Sequence, residues 1–267
     1  MERNHQKVLL DLANGSGFLF QLRVEDEIKG IRSGCTWELV LHEHHWRTQD
    51  GGEGYIDILA GYGKIRLVVE CKKASGQDWL FLVPRTASPS NHRVRALQAI
   101  DEPNVGARVK WREFIVQPTS EEAAFCAVQG QDPKGQPMIE RLADSLLPAM
   151  EAVALEELAI AGAPAKKQDR VYIPVVVTAA TIHVARFDAM TVDLSTGEIS
   201  QADLTTKEVP LVRFRKGLAS TLKPEGKPVA LIEANKEKER TILVIQARHL
   251  TRVLSAWTIQ PPFGEEW

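Results

Sequence analysis

From Gly17 onward, Phe18, Leu19, Leu22 and Ile28 recur at roughly helical spacing, with Gln21, Glu25 and Lys29 along another stripe. This predicts a first helix ended by Gly30 and Gly34. Trp37 to Leu41 alternates in the manner of a strand, and the polar stretch Thr48 to Gly54 reads as a loop. Two apolar runs follow, Tyr55 to Ala60 and Lys64 to Lys72, joined by Gly61-Tyr62-Gly63. The glycines suit a hairpin, and the unbroken apolar triplets Ile58-Leu59-Ala60 and Leu67-Val68-Val69 predict central strands covered on both faces. Trp79 to Val83 predicts a further strand, and Val94 to Ile100 a short helix. Between Gln136 and Ala163, the positions Ile139, Leu142, Leu146, Met150, Val153 and Leu158 mark a long helix. Pro148 is expected to kink it, with Gly162 and Pro164 ending it and Lys166 to Arg170 as a connector. Beyond lie expected strands at 171–178, 181–187, 209–215 and 241–246, a turn at Ser195-Thr196-Gly197 and a helix at 249–257. This order predicts a mixed α/β fold in one domain over residues 1–267.

The 267 residues carry 44% hydrophobic side chains and 33 Lys and Arg against 35 Asp and Glu, which excludes disordered and fibrous classes. A net charge of -2 excludes binding of a polyanion by bulk charge. Three scattered cysteines, Cys35, Cys71 and Cys126, form no CxxC pair, so the expectation is a reduced, cytoplasmic protein. Asp11 and Asn14 interrupt the apolar stretch from Val8 to Leu22, against a signal peptide. The run from Val171 to Ala185 is too short and polar to span a bilayer.

The chemistry concentrates in the hairpin. Glu70 and Lys72, two apart on one strand, share a face. Folding about Tyr62-Gly63 pairs position 57 with position 68, which sets Asp57 on that same face. Charged groups inside an apolar hairpin need a shared partner. Two converging carboxylates suit Mg²⁺ or Mn²⁺, and a lysine beside them can hold a water or offset charge on a phosphate. Cys71 turns to the opposite face, as a small buried residue.

Asp57, twelve intervening residues, then Glu70-Cys71-Lys72, resembles the core motif of the PD-(D/E)xK nuclease superfamily, the restriction-endonuclease-like fold, in a bacterial-type member. The flanks Ile56-Asp57-Ile58-Leu59-Ala60 and Val68-Val69-Glu70-Cys71-Lys72-Lys73 agree, as does Trp79. The resemblance implies an αβββαβ core over about residues 17–187, with residues 188–267 as a C-terminal elaboration of extra strands. It implies that Asp57, Glu70 and the backbone carbonyl of Cys71 ligate Mg²⁺, that Lys72 orients the attacking water, and that a phosphodiester is hydrolysed, in DNA rather than RNA. Many members carry a glutamate in a Gly-x-x-x-Glu pattern on the first helix; here Gly17-Phe18-Leu19-Phe20-Gln21 holds glutamine. Glu25, one turn further along, and Lys73 are auxiliary candidates, and Ile56 replaces the proline.

Two other readings compete: a nucleic-acid- or protein-binding module with a degenerate site, motivated by Gln21, and a complex-forming protein whose hairpin charges merely pair. His42, His44 and His45 with Cys35 lack a second standard zinc pair, and read as solvated strand histidines. Gly61-x-Gly63-Lys64 lacks the first glycine of a phosphate loop, and Ser16 lacks the spacing of a nucleophile elbow. From Lys72 to Arg112 there are eight Lys and Arg against three acids, and from Lys207 to Arg252 eleven against five. Glu121 to Ile160 holds eight acids and two bases, so basic segments are available to meet a phosphate backbone. Trp79 and Trp111 are expected in the core rather than stacked on bases. A homodimer is compatible with the sequence, which fixes no oligomeric state.

Overall fold

The structure, a computed structural model, describes residues 2–32, 34–74, 76–85, 92–132, 134–161, 167–222 and 230–261. It opens with two helices, α1 (Glu2–Ser16) and α2 (Phe18–Gly30), then the strands β1 (Glu38–Arg47), β2 (Glu53–Tyr62) and β3 (Ile65–Lys72). Next come β4 (Asp78–Pro84), β5 (Arg93–Glu102), β6 (Gly106–Gln117), β7 (Glu121–Ala123) and β8 (Phe125–Val128). The long α3 (Met138–Ala161) precedes β9 (Gln168–Thr178), β10 (Thr181–Phe187), β11 (Thr205–Glu208) and β12 (Leu211–Gly217). The chain closes with α4 (Leu231–Lys238), β13 (Glu239–Gln246), α5 (Leu250–Ser255) and β14 (Thr258–Gln260). The protein is thus α/β, with no helix among the described residues long and apolar enough to cross a membrane.

The main sheet is mixed and runs β1-β2-β3-β9-β13-β12-β7. β1, β2 and β3 are antiparallel neighbours; β3 and β9 are parallel, from Ile65 opposite Val171 to Lys72 opposite Thr178. β9 forks the sheet. Its far edge is shared by β13, parallel over Val175 to Thr178, and by β5, antiparallel over Gln168 to Tyr172. A smaller sheet, β11-β10-β4-β8, is joined through the parallel pair β10 and β4.

Alternation along the central strands sorts the core onto two faces. Ile58, Leu67, Val69, Ile173 and Val175 pack with Val24 and Ile28 of α2 and Leu250, Val253 and Leu254 of α5. Leu59, Val68, Tyr172 and Val176 pack with α3 through Ile139, Leu146, Met150 and Val153, together with Trp79 and Phe81 of the smaller sheet. Helices therefore cover both faces, which is why these strands read as unbroken apolar runs. The segment before β1 is tied under α5: Trp37 Nε1 donates to the Leu254 carbonyl at 3.1 Å and Cys35 Sγ to that of Trp257 at 3.0 Å. Gly34, at φ +77°, passes so close that a Cβ there would lie 2.1 Å from the Ser255 carbonyl oxygen. Only glycine fits.

Differences from the sequence reading have local causes. Val94 to Ile100 lies in β5 rather than in a helix, because it pairs with β6 along its whole length and with β9 on the other side. A short apolar run cannot distinguish these outcomes until its partners are known. The helix expected at 249–257 is present as α5, preceded by a 3₁₀ turn at Ala247–His249, whereas α3 passes Pro148 as one helix. α1, α4 and the strands β6 to β8 had no counterpart in the pattern. The expected helix stop at Gly162 and Pro164, and Lys166 of the connector, lie outside the described residues.

Candidate active site

The turn between β2 and β3 is two residues, Gly63-Lys64, with positive φ at Gly63 alone, as a II′ hairpin turn requires. Tyr62 therefore faces Ile65, and Val68 lies opposite Leu59, not opposite Asp57 as folding about Tyr62-Gly63 implied. The correction is a shift of two positions, so every side chain keeps its face. Its effect is to bring the carboxylates closer in register. The last ladder pair is Ile58 with Val69, and one step beyond it Asp57 stands across from Glu70.

At that step the main-chain ladder gives way to a side chain: Cys71 N–H donates to Asp57 Oδ2 at 2.7 Å. On the other flank, β1 meets β2 with His42 opposite Ile58 and His44 opposite Ile56, which brackets Glu43 opposite Asp57. Glu43 has φ +47°, and a register shift between Leu39 and Leu41 precedes it. Three adjacent strands thus bring Glu43, Asp57 and Glu70 into one row. α2 closes the row: Gln21 Nε2 donates to Glu43 Oε1 at 2.6 Å and to the Asp57 carbonyl at 3.3 Å.

Glu25 is buried one turn further along α2. Its Oε2 lies 3.7 Å from Lys29 Nζ and its Oε1 3.8 Å from His42 Nδ1, while Oε1 finds no hydrogen-bond donor among the described residues.

The electrostatics follow from this crowding. Burial pushes the Asp57 carboxyl up to about 6; the Cys71 amide opposes the shift, Glu43 and Glu25 add to it, and Lys72 opposes it. Burial likewise pushes Glu70 up to about 7, reinforced by Asp57 and offset by Lys72. Cys71, held against the α2 side of the core, has its thiol raised well above the ordinary range, first by burial and then by these carboxylates. Lys72 is half-buried and Lys73 exposed. Both line a cavity of about 410 Å³ with Gly15, Ser16, Gly17, Cys71, Ala74 and Gln77. That cavity opens beside the lysine rather than over the carboxylates.

Asp57 and Glu70 thus stand opposite one another with Lys72 two residues further along β3, Gln21 and Glu25 border them from α2, and Cys71 packs toward the α2 side of the core. Glu43 was missed. Its signal was available, since β1 continues through the histidines to Arg47 and carries Glu43 past Asp57, but a strand ended at Leu41 hides it. Among the described residues, no group of three or more His, Cys, Asp or Glu side chains stands in a metal-holding arrangement.

The histidines diverge as expected of separate surface contacts. His44 pairs with Glu156 at 2.9 Å, His45 packs edge-on to Tyr55, and Cys35 is engaged with Trp257. Trp79 is fully buried, and the Trp111 ring lies 4.2 Å beneath the Arg240 guanidinium. The basic C-terminal stretch is only partly available to a phosphate backbone. Arg213 and Arg240 are buried, and Arg215 is held by Glu113 and Glu239. Comparison of the chain with protein-family models, with curated proteins and with solved structures finds no match.

Proposed function

We propose that this protein is a Mg²⁺- or Mn²⁺-dependent nuclease of restriction-endonuclease-like fold that hydrolyses phosphodiester bonds in DNA. The observation that carries the reading is the row of Asp57 and Glu70 across the β2–β3 hairpin with Lys72 two residues further along β3. The order α2, three antiparallel strands and, after the intervening β4 to β8, α3 and then β9 parallel to β3 is compatible with the αβββαβ core that the motif implies.

The donor set fits a hard divalent cation. Asp57 and Glu70 are pushed toward the neutral state by burial and by each other, and a cation between them relieves both effects. Two carboxylates with waters suffice for Mg²⁺. The carbonyl of Cys71 would complete the protein's share, and Glu43 and Glu25 stand near enough to bias the site further toward cations. When bound, such an ion supplies a water of lowered pKa and neutralises charge on the phosphate.

The remaining work falls to the chain itself. The Cys71 amide fixes the Asp57 carboxylate, and Gln21 fixes Glu43 and the Asp57 main chain. Lys72, at the mouth of its cavity, offsets negative charge developing on the phosphorus oxygens and orients the attacking water.

Gln21, in place of a helix glutamate, favours a second reading, a binding module without hydrolysis. One experiment separates the two: cleavage of plasmid, single-stranded DNA and RNA with Mg²⁺, Mn²⁺ or EDTA, comparing wild type with Glu70→Ala and Lys72→Ala. Metal-dependent DNA cleavage lost in both variants supports the nuclease. Equal activity in all three proteins marks a contaminant, and binding without cleavage under every metal supports the module.

A further inference from the structure

We propose that α1 is the dimerisation element of the protein, with a second copy of the chain packed along it; this stands apart from the nuclease reading. Asn4 to Ser16 are all exposed, so α1 buries nothing against its own fold. A lone helix of this length is marginal in water and gains its stability from packing an apolar face. Such a face is present. At 100° per residue, Val8, Leu9, Leu12 and Ala13 fall on one side, with His5 and Ser16 among them, and Asn4, Lys7, Asp11 and Asn14 on the other. Past Gly17, α2 adds Phe18, Leu19 and Leu22, and these apolar side chains with Val8, Leu9 and Leu12 are each 50–65% exposed, while Leu10 points away from that face.

Area and charge choose the occupant. The six side chains offer on the order of 550 Å² of apolar surface, the greater part of the ~800 Å² per partner of a stable interface, which a polar rim completes. The polar side of α1 balances Lys7 with Asp11, whereas a helix that lies on a membrane or tracks a phosphate backbone carries an excess of Lys and Arg. Shape agrees with a two-fold contact. Leu9 stands beside an open hollow of about 570 Å³ lined by Val8, Asp11, Leu12, Gly15 and Ser16. A ridge and a hollow on one helix let each copy fill the other in a self-complementary interface. Gly15 and Ser16 line both this hollow and the cavity beside Lys72, so the second copy borders the candidate site.

The test is the mass of the full chain in solution by light scattering and sedimentation equilibrium, over about 1 to 100 µM. Wild type is expected at twice the 29.7 kDa chain mass. Leu9→Glu and Leu12→Glu are expected to weaken the dimer by about 100-fold or more, with the monomer's circular dichroism and melting temperature retained, and Leu12→Met to leave it intact. A wild type that is monomeric throughout overturns the proposal. So does a dimer indifferent to both glutamates, or a monomer that sediments with phosphatidylcholine–phosphatidylglycerol vesicles.

Discussion

The carboxylate of Asp57 is bonded to the backbone amide of Cys71, the residue between Glu70 and Lys72, so one catalytic candidate is anchored to the main chain that carries the other two. Asp57→Asn retains an oxygen to accept that amide but removes the charge. We expect DNA cleavage to fall by about 100-fold or more, with stability unchanged or raised because a repelling charge is gone. Asp57→Ala also strands the amide and should cost a further ~1–3 kcal/mol. Paired cleavage assays and urea unfolding of the two variants check this separation.

Stability of the metal-free protein should fall as pH rises. Asp57 is pushed from 3.8 to about 6 and Glu70 from 4.5 to about 7, so between about pH 4 and 7 the folded state holds protons that the unfolded chain has released. The slope of unfolding free energy is therefore negative in that window, and the loss is complete above the folded-state values. For the pair the loss is at most about 6 kcal/mol, because the repulsion between the two carboxylates enters both shifts. Urea unfolding in EDTA, wild type minus Glu70→Gln, isolates the part due to Glu70 and its repulsion of Asp57 from the other titrating groups. Mg²⁺ added at pH 7.5 should restore stability in wild type and not in the variant.

Gln21→Glu should expose the dependence of the row on its amide. Gln21 Nε2 lies 2.6 Å from Glu43 Oε1, so the substitution exchanges a donor for a like charge. We expect the metal-free protein to lose about 1–3 kcal/mol, and millimolar Mn²⁺ to recover much of it. Thermal melts with and without Mn²⁺ measure both effects. An unchanged melting temperature in EDTA would refute the contact.

Gly34→Ala should destabilise the fold without touching the site. The positive φ and the approach of the Ser255 carbonyl leave no room for a Cβ. A loss of about 2–4 kcal/mol is expected, seen as a lower urea midpoint at unchanged m-value. Specific activity per folded molecule should stay at the wild-type level.

The legible parts of the molecule are those in which one strand or helix declares itself. Glu70 and Lys72 are two apart, and α3 repeats its apolar face over six turns, so neither needs a partner to be identified. The face of Asp57 was likewise readable because a hairpin slip by two positions preserves it. Other features depend on distant pairings. Glu43 joins the row only because β1 runs on past Leu41 and shifts register beforehand, and β5 is a strand only because β6 and β9 claim both its edges. α1 had no counterpart in the sequence pattern, and its exposed apolar face becomes visible only once the fold leaves it uncovered.

The parallel ladder between β3 and β9 also dictates the order in which the protein can be made. β3 emerges from the ribosome early, while the strand that covers its second edge follows β4 to β8 and the whole of α3. Until then an apolar strand carrying Glu70 and Lys72 is an unprotected edge, open to pairing with any other extended chain. Fragments ending before Gln168 should therefore collect in insoluble material, while chains that extend past β9 do not. The row of Asp57 and Glu70 therefore gains its covered edge only when β9, near residue 178, has been made.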